Sequence, residues 1–185
     1  RHDLRVTFTK SPKRVGRGKK KTNNLLIDKA VEFGIPIKTI DDFKNIENLK
    51  LLKSLELDFI VVFSFGLILP KEILEIPRCG CINIHASLLP KWRGASPVQY
   101  SLLNNEKETG YTIMLMNEEV DEGKILFKES VRIEHSDDTL TLLKKITKLA
   151  SISFIEVIEK FVAGLISPLE QNHKFATYSK VIKKH

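Results

Sequence analysis

"DFIVVFSFG", residues 58–66, is the most strand-like stretch of the chain. Its apolar residues run on from Phe59 to Phe63 without alternating with polar ones. A strand with one wet face alternates, whereas a strand buried on both faces does not. The stretch therefore predicts a strand of a parallel sheet covered by helices on both sides. Upstream, "LRVTFT" (residues 4–9) reads as a strand. "NLLIDKAVEFG" spaces Leu26, Ala30, Val31 and Phe33 as on one helix face and closes with Gly34. "IPIKTI" reads as extended, and Asp41 is placed to cap a helix running through Leu49, Leu52 and Leu55. Downstream come a short helix in "PKEILEI", a strand in "CINIH" (residues 81–85) and a helix in "SPVQYSLLNN". "YTIMLMN" and "GKILFKESVRI" form a strand pair around a turn at "EEVDEG". A long amphipathic helix follows from Asp137 to Val162, with a candidate break at Ala150 and Ser151, and Pro168 lies beyond its end. The order is βαβαβ with a later antiparallel pair. It predicts an α/β fold, an open Rossmann-like, mainly parallel sheet with helices on both faces.

A chain of 185 residues, 42% hydrophobic and 29% charged, has enough apolar material for one full-sized core. No apolar run reaches the roughly 18 residues that a membrane span needs. The first residues, "RHDLRVTFTKSPKR", lack the apolar core of a secretory signal. The net charge of +7 favours polyanionic partners, although a solvated basic surface also produces it. Cys79 and Cys81 sit too close in sequence for an unstrained disulfide. No third cysteine exists to build a metal cluster with them. Reduced structural thiols in a cytoplasmic protein are expected, with no metal.

Ligands of open α/β sheets bind beyond the carboxyl ends of the strands. Two strand ends, "FSFGLILP" and "INIHASLLP", turn into proline-containing segments and can line one crevice. Asn83 and His85 share a face because side chains alternate along a strand. Asn83 offers an amide donor, and His85 a donor or proton carrier near neutral pH. Two donors converging on one point can stabilise an oxyanion. A lone histidine at a strand end is ordinarily no more than a hydrogen-bonded residue. What changes the weighing is the loop that follows, "ASLLPKWRGASP", which combines leucines, two prolines and the only tryptophan, Trp92.

The stretch "NIHASLLPKWRGASPVQYSLLN" resembles the folate-dependent formyltransferases, and within them the branch that formylates initiator methionyl-tRNA. The resemblance extends from Leu4 to Tyr178 through "GRGKK", "FGLILP", "GCIN" and "ETGYTIMLMNEEVDEGKIL". It implies transfer of a formyl group from 10-formyltetrahydrofolate, as co-substrate, to the amine of methionyl initiator tRNA during translation initiation. The family's Asn–His–Asp triad corresponds to Asn83, His85 and Asp121. Asn83 would hold the oxyanion. His85 would do so as a cation or carry a proton. Asp121 would stabilise that cation and order a water for proton transfer. Ser87, Leu88, Leu89 and Pro90 would bind tetrahydrofolate by shape and backbone contacts. Gly66, Leu67, Ile68 and Leu69 would flank the pteridine. Glu118, Glu119 and Glu122 read as solvent-facing charges. The carrier already activates the formyl group, so no metal is required.

"KSPKRVGRGKKK", residues 10–21, is dense in cations, poor in apolar anchors and suited to an irregular phosphate-binding loop. The resemblance places Arg14, Arg17, Lys19 and Lys20 on the tRNA, with Arg17 at the acceptor stem end. Without the resemblance, a solvated basic loop would explain the same charges. Relative to the family, Ala86 replaces a common glycine or proline, with little effect expected. The chain begins at the family's second strand and stops near its linker. Residues 1–178 are thus expected to be the catalytic domain without its first strand and helix. Residues 179–185 are expected to start a linker towards a carboxyl-terminal domain. A monomer is expected, with no membrane partner. Two alternatives stand. One is a formyltransferase acting on glycinamide ribonucleotide or a sugar nucleotide, which has no use for "GRGKK". The other is an inactive nucleic-acid-binding fragment, which has no use for Asn83, His85 and Asp121.

Overall fold

The computed structural model describes residues 2–11, 14, 15, 20, 21, 25–43 and 46–183. It divides into two compact units, Arg1–Glu56 and Leu57–His185.

The first unit contains β1 (Thr7–Thr9), β2 (Arg14–Val15), β3 (Lys20–Lys21), α1 (Leu25–Glu32), β4 (Ile37–Thr39) and α2 (Ile46–Ser54). β1 pairs with β4 in parallel, Thr7 opposite Ile37 and Thr9 opposite Thr39. Leu4, expected inside β1, is 64% exposed and precedes it, because the ladder begins only where β4 offers a partner. α1 buries Ala30 and is followed by Gly34 at φ +65°, the left-handed stop that its sequence predicts. Asp41 does not cap α2. Its carboxylate accepts from Ser11 Oγ at 2.8 Å and from the Ser11 amide at 3.4 Å. It thereby ties together the segments that leave β1 and β4, and α2 starts five residues later. The basic segment is not wholly irregular either: β2 and β3 form a short antiparallel ladder, Arg14 opposite Lys21 and Val15 opposite Lys20.

The second unit contains β5 (Ile60–Val62), α3 (Lys71–Leu74), β6 (Cys81–His85), β7 (Arg93–Gly94), α4 (Pro97–Leu103), β8 (Glu108–Leu115), β9 (Ile125–Arg132), α5 (Thr139–Val162) and β10 (Tyr178–Ser179). Its main sheet has the order β5-β6-β8-β9. β5 and β6 are parallel, while β6 with β8 and β8 with β9 are antiparallel. The antiparallel hairpin read from the sequence is therefore present, and it docks directly on β6. β7 and β10 make a separate two-residue parallel ladder.

Ile82 of β6 packs with Tyr111, Ile113, Leu142 and Ile146, so one face of the sheet is covered by α5. Cys81, on the other face, turns its Sγ to the Ile73 and Leu74 carbonyls of α3, each at 3.8 Å. Burial pushes that thiol up to about 12, so it stays protonated and is no nucleophile at neutral pH. β5 is shorter than "DFIVVFSFG" suggests, and Val61 and Phe63 are 46% and 43% exposed rather than buried. Among the described residues of this sheet it has a ladder neighbour, β6, on one side only, and Ser64 at φ +47° ends its extension. α5 runs unbroken through Ala150 and Ser151, contrary to the candidate break. Ala150 packs in the core, and Ser151 Oγ donates to the Lys148 carbonyl without interrupting the helix. Asp138 caps the helix reciprocally with Thr141: its Oδ1 accepts from the Thr141 amide at 2.8 Å, and its own amide donates to Thr141 Oγ1 at 2.9 Å. Among the described residues, no helix is long and apolar enough to cross a membrane.

Candidate active site

The ends of β5 and β6 lie side by side, with Val62 in register with Asn83. Beyond them opens a crevice of about 820 Å³. Its walls come from residues 62–69 after β5, 83–86 at the end of β6, the start of α4, residues 116–121 after β8, and Ser179 to Val181. A crevice therefore opens at the strand ends, within the second unit alone.

Three side chains meet at the crevice floor. Asn83 Nδ2 donates to Asp121 Oδ1 at 3.2 Å, and His85 Nδ1 lies 3.5 Å from that same oxygen. The Gly94 amide donates to Asp121 Oδ2 at 2.8 Å. Asp121, from the turn between β8 and β9, thus gathers three groups on one carboxylate. The His85 and Asp121 side chains are only 7% and 11% exposed. Charges so placed are weakly screened by solvent.

The His85 ring has a defined orientation. Its Nε2 lies 2.9 Å from the Trp92 carbonyl. A carbonyl can only accept, so Nε2 carries a hydrogen. Any second proton on the ring sits on Nδ1, between imidazole and carboxylate. Trp92 holds this carbonyl in place. It adopts φ +57°, its amide donates to Thr177 Oγ1 at 2.9 Å, and its indole packs on Tyr100 with ring centroids 5.4 Å apart. Its Nε1 donates to Glu106 at 3.1 Å. The single tryptophan is thus a strut for His85.

The turn that carries Asp121 depends on glycine. Asp121 has φ +56°, and a Cβ on Gly123 would clash with the Leu115 carbonyl oxygen. That backbone approach explains why the sequence reads Asp-Glu-Gly here.

Gly66, Leu67, Ile68 and Leu69 line the crevice, with Gly66 at φ +67° and Ile68 74% exposed. Ser87, Leu88, Leu89 and Pro90 are not among the residues that line this crevice. Ser87 and Leu89 are 0% exposed. Ser87 Oγ donates to the Lys91 carbonyl at 2.6 Å, and Leu89 packs with Met114 and Ile125. Thr112 Oγ1 donates to the Ser87 carbonyl at 2.7 Å and accepts from the Leu89 amide at 3.0 Å. Pro90 accepts from the Thr177 amide at 3.2 Å, and Leu88 packs close to Gly110. The four residues lie behind the crevice wall and anchor the loop that leads to Trp92. Ser87 and Leu89 are buried where Thr112 of β8 meets the loop backbone with both a donor and an acceptor.

Glu122 also departs from its expected place in solvent. Its Oε1 lies 2.7 Å from Nη1 of Arg93, which is 1% exposed. Glu118 and Glu119 are exposed, as expected. Sequence reasoning missed Arg93, Gly94 and Gln171 in the site. Arg93 and Gly94 stood in the flagged loop, but nothing local marks an arginine as buried. Gln171 lies in "LEQNHKF", which has no periodicity to read. Of the basic residues assigned to tRNA, Arg14 and Lys20 fall on β2 and β3, while Arg17 and Lys19 lie outside the described residues. Among the described residues, no group of three or more His, Cys, Asp or Glu side chains is placed to hold a metal ion.

Comparison with known proteins matches this architecture. The sequence profile of the formyl transferase family covers residues 2–158. The methionyl-tRNA formyltransferase of Ehrlichia ruminantium (strain Gardel) is 42% identical over 182 residues, 98% of this chain and 59% of that protein. The methionyl-tRNA formyltransferase of Legionella pneumophila (strain Paris) is 40% identical over 184 residues, 100% of this chain and 59% of that protein. The chain thus spans somewhat over half the length of these curated relatives. Among solved structures, phosphoribosylglycinamide formyltransferase from Bacillus halodurans superposes with a TM-score of 0.72 at 26% identity, covering 86% of this chain and 81% of that one. A sugar N-formyltransferase from Shewanella sp. FDAARGOS_354 gives 0.68 at 25% identity, covering 83% and 59%. The chain shares their fold, and with a profile match over most of its length it belongs to the formyl transferase family.

Proposed function

We propose that the crevice transfers a formyl group from 10-formyltetrahydrofolate to the amine of methionyl initiator tRNA. The observation that carries this reading is the meeting of Asn83, His85 and Asp121 around one carboxylate oxygen at the crevice floor, with contacts of 3.2 and 3.5 Å. The identity of about 40% to methionyl-tRNA formyltransferases supports the acceptor.

In this account the amine nitrogen attacks the formyl carbon, a C–N bond forms, and the carbonyl electron pair moves onto oxygen. Asn83 has a second N–H to offer beyond the one that it gives Asp121, and donates it to that oxyanion. His85 keeps Nε2–H on the Trp92 carbonyl and, when doubly protonated, turns Nδ1–H to Asp121, so it supports the oxyanion through its charge. Asp121 stabilises the imidazolium and orders a water. The water takes a proton from the attacking nitrogen and delivers one to N10 of tetrahydrofolate as the old C–N bond breaks. Residues 66–69 flank the pteridine, with exposed Ile68 and Val120 offering apolar surface for a flat ring.

The basic segment, residues 10–21, engages the acceptor stem in this account, through Arg14, Arg17, Lys19 and Lys20. Arg17→Ala is expected to raise the KM for methionyl-tRNA roughly tenfold, the scale of one lost arginine contact to a base. The KM for 10-formyltetrahydrofolate should stay unchanged. Steady-state kinetics with each substrate varied in turn checks this. An equal rise in both constants would place Arg17 outside tRNA recognition.

The acceptor is tested by offering the complete gene product methionyl-tRNA, glycinamide ribonucleotide and an amino sugar nucleotide, each with 10-formyltetrahydrofolate. A kcat/KM highest by orders of magnitude for methionyl-tRNA is expected. Preference for either small amine would move the chain to another branch of the family.

A further inference from the structure

Gln171 lies beyond the residues matched by the family profile, between α5 and β10, and is 4% exposed. A buried amide needs partners at both ends. Gln171 Nε2 donates to the carbonyls of Asp121 at 2.9 Å and Gly123 at 2.8 Å. Its Oε1 accepts from Arg93 Nη2 at 2.8 Å and Nε at 3.2 Å. A guanidinium only donates and a peptide carbonyl only accepts, so the amide has a single workable orientation.

These bonds close a ring around the turn that carries Asp121. Arg93 fixes Gln171, and Gln171 holds the turn's backbone. Arg93 also pairs with Glu122, the residue after Asp121. The residue after Arg93 is Gly94, whose amide holds the Asp121 carboxylate. Asp121 itself sits at φ +56°, a conformation that costs free energy for a residue with a Cβ and persists where surrounding bonds impose it.

We propose that Gln171, oriented by Arg93, is a positioning residue that keeps the Asp121 carboxylate within reach of Asn83 and His85. The inference rests on the formyl-transfer reading of the crevice for its catalytic consequence. Gln171 acts through the turn and touches no reacting atom.

The test compares Gln171→Glu and Gln171→Met in the complete gene product. Glutamate keeps the size and the acceptor for Arg93, but sets an oxygen against two carbonyls. Methionine removes both bonds without adding charge. Both variants should lower kcat by about ten- to a hundredfold, the scale of a small misplacement of a reacting group. The KM for 10-formyltetrahydrofolate should be little changed. In the Asp121→Asn background the same substitutions should add almost nothing, because they act through Asp121. The Gly94 amide proton, bonded to the carboxylate in the wild type, should move upfield in both variants. That resonance needs no turnover. If it moves in a protein that transfers no formyl group, the positioning role stands and the proposed reaction fails. An unmoved Gly94 resonance overturns the inference. So does a Gln171 effect as large in Asp121→Asn as in the wild type. If Gln171→Glu does not fold, Gln171→Met alone decides.

Discussion

Asp121→Asn is expected to slow formyl transfer by about a thousandfold, or roughly 4 kcal/mol of transition-state stabilisation. The substitution is nearly isosteric, so packing is preserved. What changes is the hydrogen-bond inventory. The carboxylate faces three groups, the Asn83 amide, the Gly94 amide and the His85 ring. A carboxylate accepts at both oxygens, whereas an amide accepts at one end and donates at the other. Either orientation of the new side chain therefore sets an NH2 against a donor. If that NH2 faces Gly94, the turn is pushed off β7. If it faces Asn83 and His85, the imidazolium loses both its partner and its charge compensation. Single-turnover kinetics reads the loss, and equilibrium binding of a tetrahydrofolate analogue checks that the crevice remains formed. Turnover close to the wild-type rate would remove Asp121 from the mechanism.

Asn83→Ala is expected to cost about two to three orders of magnitude in kcat, the range for removing one oxyanion donor. Binding of the folate should be nearly unaffected, because the proposed pteridine-flanking residues are 66–69 on the neighbouring strand exit. Asp121 keeps its Gly94 bond and its contact with His85 when Asn83 is shortened, so the carboxylate stays in the site. The two variants thus probe different steps of the proposed mechanism: Asn83 would act on the charge developing on oxygen, Asp121 on the imidazolium and the proton path. Measured as kcat with both substrates saturating, an Asn83→Ala protein with full turnover would sink the oxyanion assignment.

The parts of this account that were legible in the sequence are those set by local pattern. "CINIH" becomes β6 with its ends as read, because an apolar run bounded by glycine and a turn admits few other structures. The face shared by Asn83 and His85 follows from strand periodicity alone. Asp121 is different. A carboxylate in a charged turn has no local mark, and only the resemblance singled it out. The structure adds the reason: the turn is folded back by Gly123 and gripped by β7. Long-range pairing was not legible. Gln171 reaches Asp121 across 50 residues, and Arg93 reaches Gln171 across 78. Glu122 read as solvated because the cation that captures it is distant in sequence. Asp41 failed as a cap for a similar reason, since Ser11, 30 residues away, offers its carboxylate two donors. In the "SLLP" segment the local pattern marks a loop, but not the partner that holds its backbone. Thr112, on another strand, turns that backbone inward.

The most direct test is acid-quenched single-turnover transfer of labelled formyl from 10-formyltetrahydrofolate to methionyl initiator tRNA, comparing the complete gene product with its Asp121→Asn variant. The account predicts label on the methionyl amine within the first turnover of the wild type. It predicts a far slower appearance in the variant, with folate binding retained. Label on the methionyl amine at the same rate in both, or on no amine in either, would contradict it.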